Sequence, residues 1–464
     1  MRVLCAAVLV LSIGTAPLPA QQSLPDFDAL ARETTQRLSE YLQVRTVNPP
    51  GNEVAGARYL QRLLADEGIR AEVFESAPGR GNLYARLPGT GRKRPLILLS
   101  HLDVVPADSA RWQVAPFSGA VRDGYVWGRG ALDMKGEGMV EVMTLIALKR
   151  RGIPLSRDII LIGNADEETG SSGAAWFARE KAALIRDAEY LINEGGDNQV
   201  GPDGKVLYYG IEVTEKVPFW LRLTTRGTPG HGSRPTPDNP VARLSRAVGR
   251  IAAWETPLIL TPPVAQFFRD LASRETDPRR RAWLRDPATA LKDPEARAWF
   301  TSDLYTNAIL RNTVSITGLQ GSNKTNVIPA EATAELDIRL LPGQSPDSFE
   351  ADLRRIIGDT LVEITRLSPS RTASTAPLAG ELVGAIRATV EQMDPGALVT
   401  TPMLTGYTDS YYYRELGIGA YGLDPFRTTD ADSRGIHGND ERVSLANIRF
   451  GVEFFFRIVE QTAR

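Results

Sequence analysis

The sequence is poor in the residues that most often bind metals or attack substrates. Of 464 residues, one is cysteine (Cys5) and three are histidine (His101, His231 and His437). Cys5 lies in an N-terminal stretch that reads as a secretory signal. Met1 and Arg2 precede an apolar run from Val3 to Ile13, and small residues and prolines follow up to Ala20. Removal of residues 1–20 would leave no cysteine. That excludes a disulfide framework, a thiolate metal site and a cysteine nucleophile. Any metal must then be held by His, Asp and Glu. Export implies a secreted or periplasmic protein. Long apolar runs are also missing: no stretch approaches the ~18 residues of a spanning helix, so no membrane span is expected. Neither sign of charge dominates, with 54 Lys and Arg against 56 Asp and Glu. This balance argues against nucleic acid as a partner.

The length is too great for one compact core and implies more than one domain. From about Asp28 to Gly68 apolar residues recur at helical spacing. Three short apolar runs follow, Leu96–Leu99, Ile159–Ile162 and Tyr190–Ile192, separated by helical stretches at Met134–Arg150 and Ala174–Leu184. Such alternation predicts an α/β unit with a mostly parallel sheet sandwiched by helices. After Lys216 the pattern becomes strand Phe219–Thr225, helix Pro240–Trp254, strands Thr313–Thr317 and Thr333–Leu340, helix Pro346–Ile357, and strand Val362–Arg366. The order βαββαβ is ferredoxin-like. It predicts a separate small domain at 217–368 with a helical insertion at 256–311, whose Arg279–Arg281 run reads as a solvated face. The flanking segments 21–216 and 369–464 form one split catalytic domain, which ends in a helix capped by Ser444.

Polar residues gather where the predicted strands end, which is where open α/β sheets bind ligands. Ser100-His101-Leu102-Asp103 follows the first strand, Asn164 to Gly170 the second, and Asn193-Glu194-Gly195-Gly196 the third. Asp133 lies in the glycine-rich turn Gly128–Gly136, and His437 in Gly435–Glu441, before the last helix. The turn at Gly128 has no third glycine where a dinucleotide loop needs one, and Gly170–Gly173 does not fit a nucleophile elbow. Carboxylates crowded into one cleft need cations to offset them. Two zinc ions with His and carboxylate ligands would suffice, and Asp133 is the natural bridge. Asp103 then accepts the other ring N–H of His101.

The segments SHLDVVP, GRGALDMKG, ADEETG, NEGG and GIHGNDE, with GTPGHGS, NVIP and DIRLLPG, resemble a di-zinc hydrolase family. It is the family of the aminoacylases, acetylornithine deacetylases, succinyl-diaminopimelate desuccinylases and glutamate carboxypeptidases. The lid segments look nearest to carboxypeptidase S and the secreted N-fatty-acyl amino acid hydrolases.

The resemblance implies that His101, Asp133 and Glu194 hold one zinc and that Asp133, Glu168 and His437 hold the other, with cobalt or manganese as alternatives. It implies Glu167 as general base and acid, and His231 as an oxyanion stabiliser offered from the lid, often to the partner subunit of a homodimer. Arg339 would grip a free substrate carboxylate, with Asn326 as a second contact. Asp409 belongs to Gly406-Tyr407-Thr408-Asp409, which resembles the family's glycine-Thr-Asp loop, except that Tyr407 replaces its second glycine. The expected reaction is cleavage of an amide beside a free carboxylate in a small molecule, an N-acyl amino acid or short peptide. The alternatives are a dipeptidase or carboxypeptidase rather than an acylase, or a non-catalytic metal-binding relative.

Overall fold

The computed structural model describes residues 24–201 and 203–464. The expected signal segment and Cys5 lie outside the described residues. The main sheet has six strands in the order Ala71–Ala77, Arg80–Leu87, Ile159–Asn164, Leu96–His101, Tyr190–Asn193 and Gly419–Gly422. The last four are parallel, and the first two form an antiparallel hairpin at one edge. The three apolar runs lie side by side in the parallel part. The hairpin has no apolar run to announce it, because Glu72, Glu75, Arg80, Gly81 and Arg86 interrupt it.

Two-sided burial explains the sequence of the central strands. Leu96 to Leu99 are all fully buried. With the strand period of two, Leu96 and Leu98 join the core on one face and Ile97 and Leu99 the core on the other. Helix Lys135–Arg151 packs on the first face and helix Ser172–Glu180 on the second. Each such side chain contributes roughly 1.5–3 kcal/mol on burial. The final helix, Leu445–Ala463, is capped by the Ser444 hydroxyl, which accepts from the Asn447 N–H at 3.0 Å. It packs along Phe27–Leu42 and Lys135–Arg151. The N-terminal helical stretch is divided into Phe27–Leu42 and Glu53–Asp66. Pro49 and Pro50 fall in the break, where they cannot donate helical hydrogen bonds.

A second sheet is built from Leu221–Arg226, Thr313–Gln320, Glu331–Leu340 and Glu363–Arg366, with helices Pro240–Ala252 and Pro346–Ile357 between them. Taken in chain order, the strands stand fourth, first, third, second, all antiparallel. This is the ferredoxin-like arrangement. Its core, including Leu223, Leu336, Leu244 and Leu353, is separate from that of the main sheet. Residues 256–311 hold five short helices, each beginning at Pro or Leu after a Thr or Asp cap. Proline suits the first helical position, where its missing N–H would be unpaired anyway. Phe267, Phe268, Leu284 and Phe300 give this insertion its own apolar centre. Arg279 is exposed and pairs with Glu295, as a solvated face requires.

Candidate metal centre and active site

Each polar residue at a strand end is held by a different part of the main sheet, and the ends converge. His101 closes its strand and is buried. Its Nε2 lies 2.9 Å from Asp133 Oδ1 and 3.9 Å from Glu194 Oε2. On the other side, His437 Nε2 lies 3.1 Å from Asp133 Oδ2 and 2.9 Å from Glu168 Oε2. Asp133 therefore turns one carboxylate oxygen to each group. Within His101–Asp133–Glu194, and within Asp133–Glu168–His437, the ligand atoms all lie within 4.8 Å of one another.

The turns that present these side chains are tightly determined. Asp133 is fixed by Glu441, whose carboxylate accepts from the N–H groups of Gly130, Leu132 and Asp133 at 2.9, 2.8 and 3.0 Å. Arg129 donates to the same buried carboxylate at 2.6 Å. Glu194 enters through Gly195 and Gly196, both at positive φ (113° and 74°). A Cβ on Gly196 would come within 2.4 Å of the Gly422 carbonyl oxygen, so the turn demands glycine twice over. His437 also has positive φ (54°), a conformation that non-glycine residues seldom adopt.

Asp103 takes a different part from the one expected. The nearest acceptor for His101 Nδ1 is the Asp103 main-chain carbonyl at 3.0 Å, with the carboxylate at 3.6 Å. The carboxylate instead accepts from the N–H groups of Glu167 and Glu168, both at 3.1 Å, and from Asn48 at 2.8 Å. It thus pins the turn that carries both glutamates. Asp166 pins the same turn from the other side, accepting from Arg80 at 2.5 Å, from Asn48 at 2.9 Å, and from the hydroxyls of Thr169 and Ser172. Asn48, Arg80, Asp166, Arg129 and Glu441 have no role in the sequence reading. Arg129, Asp166 and Glu441 left a signal there, each inside a segment singled out for another residue.

The electrostatics follow from crowding. Burial disfavours a charged His101, but the carboxylates of Asp103 and Asp133 outweigh it and hold its pKa well above the ordinary value. Hydrogen bonds to Asp133 and Glu168 raise His437 to about 10. Burial pushes the Asp133 carboxyl up, but its two histidine partners more than reverse this and leave it lowered. Burial, then neighbouring carboxylates, push Glu167 and Glu194 well above the usual range. Burial raises Asp409 to about 7, and neither of its oxygens has a hydrogen-bond partner.

The donor set fits divalent metals. It comprises two imidazoles and three carboxylates, and the buried Glu168 Oε1 has no hydrogen-bond partner. Metal binding needs neutral imidazole, so it would expel a proton from each histidine.

The lid residues stand differently. His231 is exposed, and its ring Nδ1 meets Ser233 Oγ at 2.7 Å. Asn326 lies beside it, since its carbonyl accepts from the Gly232 N–H at 2.8 Å. Arg339 donates Nε to Asp337 at 2.8 Å and stacks over Trp220. Among the described residues, none of these three has a hydrogen bond or ion pair to the cluster.

Comparison with known proteins places the chain. Residues 97–461 match the model of peptidase family M20/M25/M40. The chain is 30% identical over 379 residues to the human N-fatty-acyl-amino acid synthase/hydrolase PM20D1, covering 79% of this chain and 74% of the human protein. It is 27% identical over 435 residues to Aminoacylase-1 of Sus scrofa, covering 91% and 94%. Its fold superposes on the M20 family metallo-carboxypeptidase Sso-CP2 from Sulfolobus solfataricus with a TM-score of 0.71, at 19% identity, over 93% of this chain and 99% of that one. The chain belongs to peptidase family M20/M25/M40 and is a hydrolase.

Proposed function

We propose that this hydrolase cleaves an amide bond next to a free carboxylate, in an N-acyl amino acid or short peptide, with two metal ions in the cluster. The observation that carries this reading is Asp133, with one oxygen turned to each of two ligand groups. His101, Asp133 and Glu194 would hold one ion, and Asp133, Glu168 and His437 the other. Zinc suits these donors, as do cobalt and manganese. Such ions, when bound, polarise the amide carbonyl and make a bound water acidic near neutral pH.

Glu167 adjoins the ligand Glu168 but belongs to neither group. Its carboxylate takes a proton from the attacking water and delivers it to the leaving nitrogen. Asp103 keeps the turn that makes this division of labour possible. His231 donates an N–H to the developing oxyanion, either after lid movement or from the partner subunit of a homodimer. The segment 217–368 serves as the lid, and Arg339, Asn326 and Asp409 surround the substrate. Residues 1–20 direct export.

The test is a panel of N-acyl amino acids and dipeptides, each as free acid and as amide, with released amino acid quantified by mass spectrometry. Cleavage of free acids by protein carrying two metals per chain is the expected result. Glu167→Gln should keep both metals and lose at least ~10²-fold in kcat. A fully active Glu167→Gln enzyme would overturn the mechanism, and sedimentation of an active monomer would overturn the shared site.

A further inference from the structure

Tyr407 stands where the resembling family has glycine, and the structure gives it a partner. Arg371 lies between the strand Glu363–Arg366 and Ala376, whose N–H donates to the Val213 carbonyl at 2.8 Å. Its guanidinium lies over the rings of Tyr407, Tyr411 and Tyr412, at 5.1, 5.4 and 5.0 Å from their centroids. It donates to Tyr407 Oη at 2.6 Å and also to Tyr412 Oη.

Three features make this more than a packed arginine. First, among the described residues no carboxylate pairs with Arg371. Glu215 is taken by Arg414 at 3.0 Å and by the N–H and hydroxyl of Thr408 at 3.0 and 2.9 Å. A half-buried guanidinium with only phenols as acceptors keeps N–H groups to offer, and each phenol keeps its own O–H. Second, the cage flanks Asp409. The helix Ser410–Glu415, which carries Tyr411 and Tyr412, sits at the ends of the cluster's strands: Tyr413 Oη accepts from Asn164 at 2.9 Å, Asn164 pairs with His101 in the sheet, and Ser410 Oγ accepts at 3.1 Å from Asn193, the neighbour of Glu194. Third, Arg339, the anchor expected from sequence, already spends its fork on Asp337, with Nε at 2.8 Å and Nη2 at 3.3 Å.

We infer that Arg371, with the hydroxyls of Tyr407 and Tyr412, forms an anion subsite that takes the substrate's free carboxylate. The inference rests on the reaction proposed above and assigns its specificity to a new residue. The stacked rings restrict the guanidinium, so little freedom is lost when it pairs, and a charge-assisted pair forms at a site already oriented. Tyr407 belongs to this subsite, which explains why a glycine position is filled.

The test uses the metal-loaded full chain and the best substrate of the panel, as acid and as amide. Steady-state kinetics are run on wild type, Arg371→Gln, Arg371→Lys, Tyr407→Phe and Arg339→Gln. Arg371→Gln should lower kcat/KM for the acid by about 10- to 100-fold, mostly through KM, so that the acid loses its advantage over the amide. Arg371→Lys should recover part of that advantage, and Tyr407→Phe should lose a few-fold. The last two variants answer the question if Arg371→Gln fails to fold. An unchanged acid-to-amide ratio in the Arg371 variants, with Arg339→Gln abolishing it, would overturn the inference and leave the proposed reaction standing. A wild-type enzyme indifferent to acid and amide would overturn both.

Discussion

The metal cluster and the lid hold their polar residues in opposite ways. At the end of the main sheet, the turns that carry the carboxylates are fixed from behind: the Asp133 turn by Glu441, the Glu167–Glu168 turn by Asp103, and the Glu194 turn by two glycines. In the lid, His231 bonds only within its own turn, and Arg339 to a neighbour two residues away. The turns of the cluster are therefore held in advance, whereas the lid groups have no such support among the described residues; the function proposed above requires them to be brought in. Catalysis by water attack needs both: charges fixed in advance at the reacting atoms, and a cover that closes on the substrate.

That contrast can be broken most strongly at Glu441. Glu441→Ala leaves Arg129 buried without its carboxylate and three main-chain N–H groups without an acceptor. It should cost about 3–5 kcal/mol of stability, and metal affinity should fall ~10–100-fold. Denaturant unfolding and metal titration would measure the two losses, and unaltered metal binding would mean that Asp133 is held by other means. His231→Ala probes the other side. It should leave metal content and melting temperature unchanged while kcat falls about 10²-fold. Loss of metal in this variant would erase the distinction between cluster and lid.

The smallest expected effect concerns Glu141, buried in the helix under the His101 strand. Burial holds its carboxyl well above the usual range, with only the Ser100 hydroxyl and the Leu99 backbone opposing. The folded state thus keeps a proton that the unfolded state gives up near pH ~4.3. Stability should fall as pH rises from there towards the folded value, with a slope of up to ~1.4 kcal/mol per pH unit. Glu141→Gln should reduce the slope of unfolding free energy against pH between pH 4.5 and 8, the remainder coming from other buried carboxyls such as Glu137 and Glu212. An identical slope would assign it to other groups.

Much of this architecture was legible because its causes are local. The apolar runs at 96, 159 and 190 are central strands because residues buried on both faces leave no room for alternation. The βαββαβ order of the lid was written in its periodicities, and three of the five short helices of the insertion begin at Asp-Pro steps. The edge hairpin at 71–87 left no such trace, since one edge of a sheet tolerates charge.

The site divides along the same line. Residue types and segment order marked His101, Asp133, Glu167, Glu168, Glu194 and His437, because metal chemistry restricts which side chains can serve. The supporting roles of Asn48, Arg80, Asp166, Arg129 and Glu441 could not be read, even where a quoted segment holds the residue, since a buried carboxylate and its donors look like any other polar residues in one dimension. The sequence by itself determined the fold class and the chemistry available. Only the tertiary structure decided that each Asp133 oxygen serves a separate group, that Asp103 holds a turn as well as facing the His101 ring, and that Arg371 meets Tyr407. Those facts depend on distances between segments well separated in the chain, by 36 residues for Arg371 and Tyr407 and by 64 for Asp103 and Glu167, which packing sets and local pattern does not encode.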